Sequence, residues 1–487
     1  MKRLLGMILT LALAAGLAVP AYAESTAVPP AVTAHAYLVM DAATGQVLLQ
    51  QGGTQQNYPA SITKIMTLAL AMEHCGGDLT QQVTVSYDAV HSLEAGSSHV
   101  ALQPGEVVSL DDLFHATILA SANDAANVLA EYTAGSMEAF VELMNAKAAA
   151  LGMTGTHFVN ANGLHSSEHY TTPYDMARLT QWALTVPGFA ELFGATSYTM
   201  QPTNKQEEQR KWGTDNCMLV TNKYQYEGTT GGKSGWTEEA GYTMVETVTR
   251  GDVSLICVVM GSAKKYDKFS DSIALLDYCF ENFTPVTLAA QDIVSPQVPV
   301  YYAEGAPSVG SAPLGLSGDG YTFLLHSALA ADDVQVTFDA PERYLVDEPF
   351  AAAMTIRLRD GLSASGCMNG EIGVYTLGID ESAVSALLDA NAKEFVDRPA
   401  WWQVALKALG VLFCIFLLLV ALVAGRIAYV AYVKAKRKKR RLARRRAAML
   451  AAQQPRTPAM RMVPGGRAPQ ARTGQAARGG GQSAQAR

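Results

Sequence analysis

Apolar and polar positions follow three rhythms along this chain. Between Ala36 and Met40, and again between Gln46 and Gln50, short apolar runs flank the turn Asp41–Gly45, the pattern of a β-hairpin. From about Ser61 to Ile273 the rhythm is mostly helical. Ser61 to Cys75 reads as one helix, opened after Pro59 and stopped by Gly76-Gly77, and the same periodicity runs through Leu110 to Ala134 and Met137 to Leu151. Strand-like runs return at Tyr242 to Thr249 and Val253 to Met260 around the turn Arg250-Gly251-Asp252, and Lys264 to Phe283 closes the region as a helix. Strands at both ends with helices between them predict one antiparallel sheet built from the two chain ends and covered by helices, an α+β arrangement over residues 34–283. Short alternating runs then recur, such as Val334 to Phe338 and Ala352 to Leu358, and predict a small all-β domain over 284–395. It carries no chemical constellation, so a spacing or interaction role is expected of it.

Two longer apolar runs lie outside this body. Leu4 to Val19 follows Lys2 and Arg3 and precedes Ala21-Tyr22-Ala23, as in a secretory signal cleaved after Ala23; an uncleaved anchor helix is the alternative. Near the other end, 404–433 reads as a transmembrane segment, since Ala408 to Gly425 gives 18 residues without a charge. Trp401-Trp402 suits one membrane interface, and Lys407 and Arg426 can snorkel. The segment 434–487 opens with the dense basic stretch Lys434 to Arg446 and is expected to be a disordered cytoplasmic tail, with the body of the chain outside the cell.

That tail changes the meaning of the net charge of -7. Of the 37 Lys and Arg, 17 lie from Arg426 onward, where no Asp or Glu occurs, leaving 20 basic against 44 acidic residues elsewhere. An acidic body argues against nucleic acid as a partner. Six cysteines are scattered without a CxxC pair or zinc-like spacing, and free thiols are favoured over a disulfide framework. His165, Glu168 and His169 lack both a shared helix face and a third ligand, so neither a metal nor a cofactor is expected.

Three short motifs carry the chemistry. Ser61-Ile62-Thr63-Lys64 opens a helix, where a spacing of three lets Lys64 reach the Ser61 hydroxyl. Serine needs a base to act as a nucleophile, and a lysine serves only if burial or a second cation, such as Lys233, lowers its pKa. Ser121-Ala122-Asn123 adds a hydroxyl that can relay a proton and a carboxamide that can hold Lys64 and a substrate amide. Lys233-Ser234-Gly235 fits a strand edge: a charge and a hydroxyl for a carboxylate, a glycine that lets a peptide approach, and the Trp236 amide to pair with the Ser61 amide as an oxyanion hole. Each motif alone has a plain structural explanation, as a cap, a helix break or a solvated lysine.

Together and in this order they are the signature of class A β-lactamases and penicillin-binding proteins. The sequence resembles the low-molecular-mass penicillin-binding proteins that are serine-type D-alanyl-D-alanine carboxypeptidases. The likeness rests on Pro59 to Thr67, Ser121 to Ala125, Leu151-Gly152-Met153, Gly163-Leu164-His165, Thr172 to Ala177, and Gly232 to Trp236 running into Ala240-Gly241-Tyr242. It covers roughly Ala36 to Phe283. It implies a β-lactamase/penicillin-binding-protein-like sheet flanked by helices and removal of the terminal D-Ala from peptidoglycan stem peptides, with inhibition by β-lactams. Ser61, Lys64 and Ser121 would be catalytic; Asn123, Lys233, Ser234, Gly235 and Trp236 would bind substrate. Ser234 stands where the family usually has Thr. The family's arginine near the substrate carboxylate has no evident counterpart, with Lys264 or Lys265 as substitutes. A serine β-lactamase, which would use a glutamate such as Glu142, and a non-catalytic peptidoglycan-binding protein are the rival readings.

Overall fold

A computed structural model describes residues 28–360, 362, 370–396 and 400–451. The signal sequence expected over 1–23, Cys367, and the part of the tail after Ala451 lie outside the described residues. The chain divides into two units, up to Asn391 and from Ala392 onward.

The first unit is organised by a five-stranded sheet of β1 (Ala36–Asp41), β2 (Val47–Gln51), β3 (Thr229–Thr237), β4 (Gly241–Arg250) and β5 (Val253–Ser262), in the order β2-β1-β5-β4-β3. Every neighbouring pair is antiparallel, with Leu38 opposite Val258 and Lys233 opposite Val245. The N-terminal hairpin thus completes a sheet whose other strands lie about 200 residues later. Because side chains alternate across a strand, β1 divides its apolar residues between two cores. Leu38 and Met40 join a large cluster with Ile65, Leu68, Phe114 and Leu129, whereas Tyr37 and Val39 join another with Phe269, Leu275 and Leu276.

The first cluster is supplied by α1 (Lys64–Cys75), α2 (Leu110–Leu119), α3 (Asn123–Ala134), α4 (Met137–Ala150) and α5 (Pro173–Ala183); the second takes α6 (Asp267–Asn282). Two helical expectations change. Ser61 to Cys75 is not one helix: Ala60–Thr63 is a 3-10 turn and α1 begins at Lys64. The span from Leu110 to Ala134 breaks at Ser121, whose φ of 52° no α-helix can contain.

Residues from Phe283 to Leu377 form strands in three small sheets around a core of their own that includes Val300, Met354 and Ile356. The expectation of an all-β segment fails at its end, where α7 (Glu381–Val396) is helical. Asp380 accepts hydrogen bonds from the Ser382 and Ala383 amides and so starts that helix, and Val384 enters the core.

In the second unit α8 (Ala400–Ala451) is one continuous helix. It contains Leu409–Leu442, the one helix among the described residues long and apolar enough to cross a membrane. The basic stretch from Lys434 is helical as far as Ala451 rather than disordered. Ala, Lys, Arg and Leu are strong helix formers, and no Gly or Pro interrupts them between Arg426 and Pro455.

Candidate active site

The 3-10 turn explains how Ser61 and Lys64 meet. Side chains three apart eclipse in a 3-10 helix, so Lys64 Nζ stands 3.0 Å from Ser61 Oγ. The turn is entered through Ala60, whose φ of 52° is unusual for a residue with a side chain and marks stored strain beside the serine. Three contacts hold this backbone. Thr243 Oγ1 donates to Pro59 O at 2.9 Å. Gly163 packs so closely that a Cβ there would lie 2.0 Å from Ala60 O. Gly235 on the edge strand β3 meets the same turn, where a Cβ would come within 2.7 Å of Ser61 N.

Lys64 is wholly removed from solvent. Besides Ser61, its nitrogen faces Asn123 Oδ1 at 2.7 Å and the carbonyl of Asn162 at 2.5 Å. Burial pushes its ammonium well below the ordinary lysine range and the charge of Lys233 pushes it further, against an opposing pull from Asp124. A neutral amine has two hydrogens and one lone pair. With two carbonyl oxygens taking the hydrogens, the lone pair is left for the Ser61 hydroxyl.

Asn123 is the first residue of α3, and the next residue, Asp124, ties down the loop in front of it by accepting the Val100 and Leu102 amides. Ser121, in its left-handed turn, is half-buried, and its hydroxyl is not hydrogen-bonded to Lys64. Of the second motif, then, the structure brings only Asn123 onto Lys64. The carbonyl of Asn162 does what the sequence did not reveal. Its local signal is the turn in which Asn160 Oδ1 accepts the Gly163 amide at 2.7 Å.

Lys233 is buried on the edge strand β3, where burial and Lys268 lower its ammonium to about 8 against the opposing effect of Asp215. Lys233 Nζ donates to Ser234 O at 2.7 Å, and Ser234 Oγ donates to Asp215 Oδ2 at 2.6 Å. Lys264 and Lys265 are exposed; the buried cation of this region is Lys268. Trp236 is exposed and lines a cleft of about 540 Å³ with Ser61, Asn123, Asn162 and Gly163.

Of Glu142, His165, Glu168 and His169, which the rival readings would use, His165 alone lines this cleft. Glu142 is exposed on α4 and does not line the cleft. His169 is buried, with Nδ1 accepting the Val159 amide and Nε2 2.8 Å from Thr63 Oγ1; burial lowers its pKa to about 3, so it is a neutral brace beneath the 3-10 turn. The five described cysteines are unpaired.

The peptidase S11 family, D-alanyl-D-alanine carboxypeptidase, matches residues 23–264. D-alanyl-D-alanine carboxypeptidase DacC of Escherichia coli (strain K12) is 34% identical over 305 residues, 60% of this chain and 74% of that protein. DacF of Bacillus subtilis (strain 168) is 30% identical over 287 residues, 58% of this chain and 72% of that one. The crystal structure of penicillin binding protein 5 from Haemophilus influenzae superposes with a TM-score of 0.57 at 26% identity, covering 72% of this chain and 98% of that one. The chain belongs to the peptidase S11 family as a serine D-alanyl-D-alanine carboxypeptidase of the penicillin-binding-protein type.

Proposed function

We propose that Ser61 is the acylated nucleophile and Lys64 its base, acting on the penultimate D-Ala carbonyl of peptidoglycan stem peptides. The supporting observation is the contact of 3.0 Å between Ser61 Oγ and a buried Lys64 whose other neighbours are two carbonyl oxygens. Ser61 gives its proton to Lys64 as its oxygen bonds to the carbonyl carbon, and the amides of Ser61 and Trp236 receive the oxyanion. Ser121, two residues before Asn123, returns the proton to the leaving D-Ala nitrogen. Water then cleaves the ester. The peptide lies along β3, a sheet edge with unpaired backbone groups, beside Gly235. A β-lactam enters by the same route and stalls at the ester. The direct test is release of one equivalent of D-Ala from a stem pentapeptide by the purified ectodomain. Rapid turnover of nitrocefin without D-Ala release would favour the β-lactamase reading instead.

Lys233 and Ser234 hold the terminal carboxylate. Lys233→Ala should therefore lower acylation by about a hundredfold, and by more for a peptide with a free C-terminal carboxylate than for its amide. Equal losses on the two substrates, measured as kcat/KM, would remove carboxylate recognition from Lys233.

Residues 34–283 form the catalytic domain in this reading, and 284–395 a spacing or interaction module. The 18 residues from Ala408 to Gly425 in α8 reach about 27 Å at 1.5 Å per residue, close to the hydrocarbon thickness. The basic turns from Lys434 then lie on the cytoplasmic side, where each Lys or Arg near anionic headgroups adds about 1 kcal/mol. Protease added to intact protoplasts should digest the ectodomain and spare an epitope placed after Gly465. Digestion of that epitope in sealed cells would invert the topology.

A further inference from the structure

The carboxylate subsite just described already contains a carboxylate. Asp215 follows the strand Arg210–Gly213 and remains exposed, yet its Oδ2 takes the only hydrogen of the Ser234 hydroxyl at 2.6 Å. Its backbone is fixed by its neighbour. Asn216 is buried, its amide donates to Thr214 Oγ1, its Oδ1 accepts the Met218 amide, and its Nδ2 donates to Glu246 Oε2 at 2.9 Å. Glu246 faces Gly232 across the β3–β4 pair, and Gly232 has no room for a Cβ, which would lie 2.1 Å from Glu246 Oε2. The other oxygen of Glu246 is buried without a partner. Burial raises its carboxyl well above the usual range, which disfavours a second negative charge there. Asp215 differs. Partial removal from water raises its pKa, but Lys233, Lys268 and the Ser234 hydroxyl outweigh this and hold it ionised. The cations that weigh most on Asp215 are therefore Lys233 and Lys268.

We propose that Asp215 is a specificity-determining residue: it competes with the substrate's terminal carboxylate for the Ser234 hydroxyl and for the positive field of Lys233 and Lys268. This rests on the reading that Lys233 and Ser234 hold that carboxylate. While Asp215 keeps the hydroxyl hydrogen, Ser234 Oγ can only accept, and an arriving carboxylate meets a lone pair and a like charge. Binding requires the hydroxyl to turn from one anion to the other and the two cations to serve both. The cost falls on peptides with a free C-terminus and spares those with a neutral end, which narrows the preference between them.

The test compares wild type, Asp215→Asn and Asp215→Ala on a diacylated L-Lys-D-Ala-D-Ala tripeptide and on its C-terminal amide. Asn keeps an acceptor for Ser234 and removes the charge, whereas Ala also frees the hydroxyl. The ratio of kcat/KM for acid over amide should rise about tenfold in Asp215→Asn and further in Asp215→Ala, through KM for the acid, on the scale of one charge-assisted hydrogen bond. A ratio that is unchanged, or that falls, overturns the proposal. If the ratio does not move while penicillin still acylates Ser61, only the role of Asp215 is lost. If wild type neither releases D-Ala nor takes up penicillin at Ser61, the reading beneath it is lost. Asp215→Ser, with melting temperatures for all variants, separates either result from misfolding.

Discussion

Benzylpenicillin should add its full mass once to the ectodomain, at Ser61, and Ser61→Ala should abolish both that adduct and D-Ala release. β-Lactam acylation opens the ring without losing atoms, so intact mass reads the event directly, and peptide mapping locates it. The alternatives lie close by: Ser121 and Ser234 belong to the other two motifs. Ser234 spends its hydrogen on Asp215, a carboxylate held ionised and hence a poor base, and Ser121 has no hydrogen bond to Lys64. Of these three serines, Ser61 alone has its hydroxyl hydrogen-bonded to a buried amine. Removing the nucleophile from such a unit costs about 10³-fold or more, with the residual rate coming from the oxyanion donors and binding alone. An adduct on Ser121 or Ser234, or full labelling of Ser61→Ala, would sink the assignment. Because Ser61 is only partly exposed and small, Ser61→Ala should leave the melting temperature nearly unchanged, which separates lost chemistry from lost fold.

Where the signal was local or periodic, the sequence was informative. Apolar runs at Ala36 to Met40 and Val253 to Met260 placed two central strands, and the spacing of Ser61 and Lys64 placed the reacting pair. What escaped it depends on approach between distant segments. Nothing near Lys64 announces the Asn162 carbonyl, nearly a hundred residues away, and nothing around Asp215 announces Ser234. A helix break was one reading of Ser121-Ala122-Asn123, but the left-handed turn itself was not legible, because Ala120, Ser121 and Ala122 include no Gly; a tertiary constraint, not local preference, holds the positive φ. The start of the 3-10 turn was hidden for the same reason. Ala60 has no intrinsic call for a left-handed conformation, and the crowding of Gly163 and Gly235 against it supplies the cause. The helix Glu381–Val396 was missed differently, because an average over a strand-rich segment concealed the Asp380 cap.

Removal of Lys64 should be nearly as damaging as removal of Ser61, and the pH profile should reveal why. Lys64→Ala is expected to slow acylation by about 10²- to 10⁴-fold, the range for a general base. The base form is the unprotonated amine. Wild-type acylation must therefore rise with pH as Lys64 loses its proton, and burial, with Lys233 adding to it, places that rise well to the acid side of an ordinary lysine. Lys233 has the opposite requirement, since it attracts a carboxylate only while protonated. Burial and Lys268, opposed by Asp215, set its loss of charge at about 8. For a substrate with a free C-terminus, kcat/KM should climb through the Lys64 limb and fall above about pH 8. For the C-terminal amide the falling limb should weaken while the rising limb stays. Lys64→Ala should flatten the rising limb for both substrates, whereas Lys233→Ala should remove the falling one and, because the charge of Lys233 lowers Lys64, move the rising one toward higher pH. A Lys64→Ala enzyme that retains the wild-type rising limb would transfer the base to another group. Lys64→Met, close in volume and unable to accept a proton, guards the conclusion against a collapsed site.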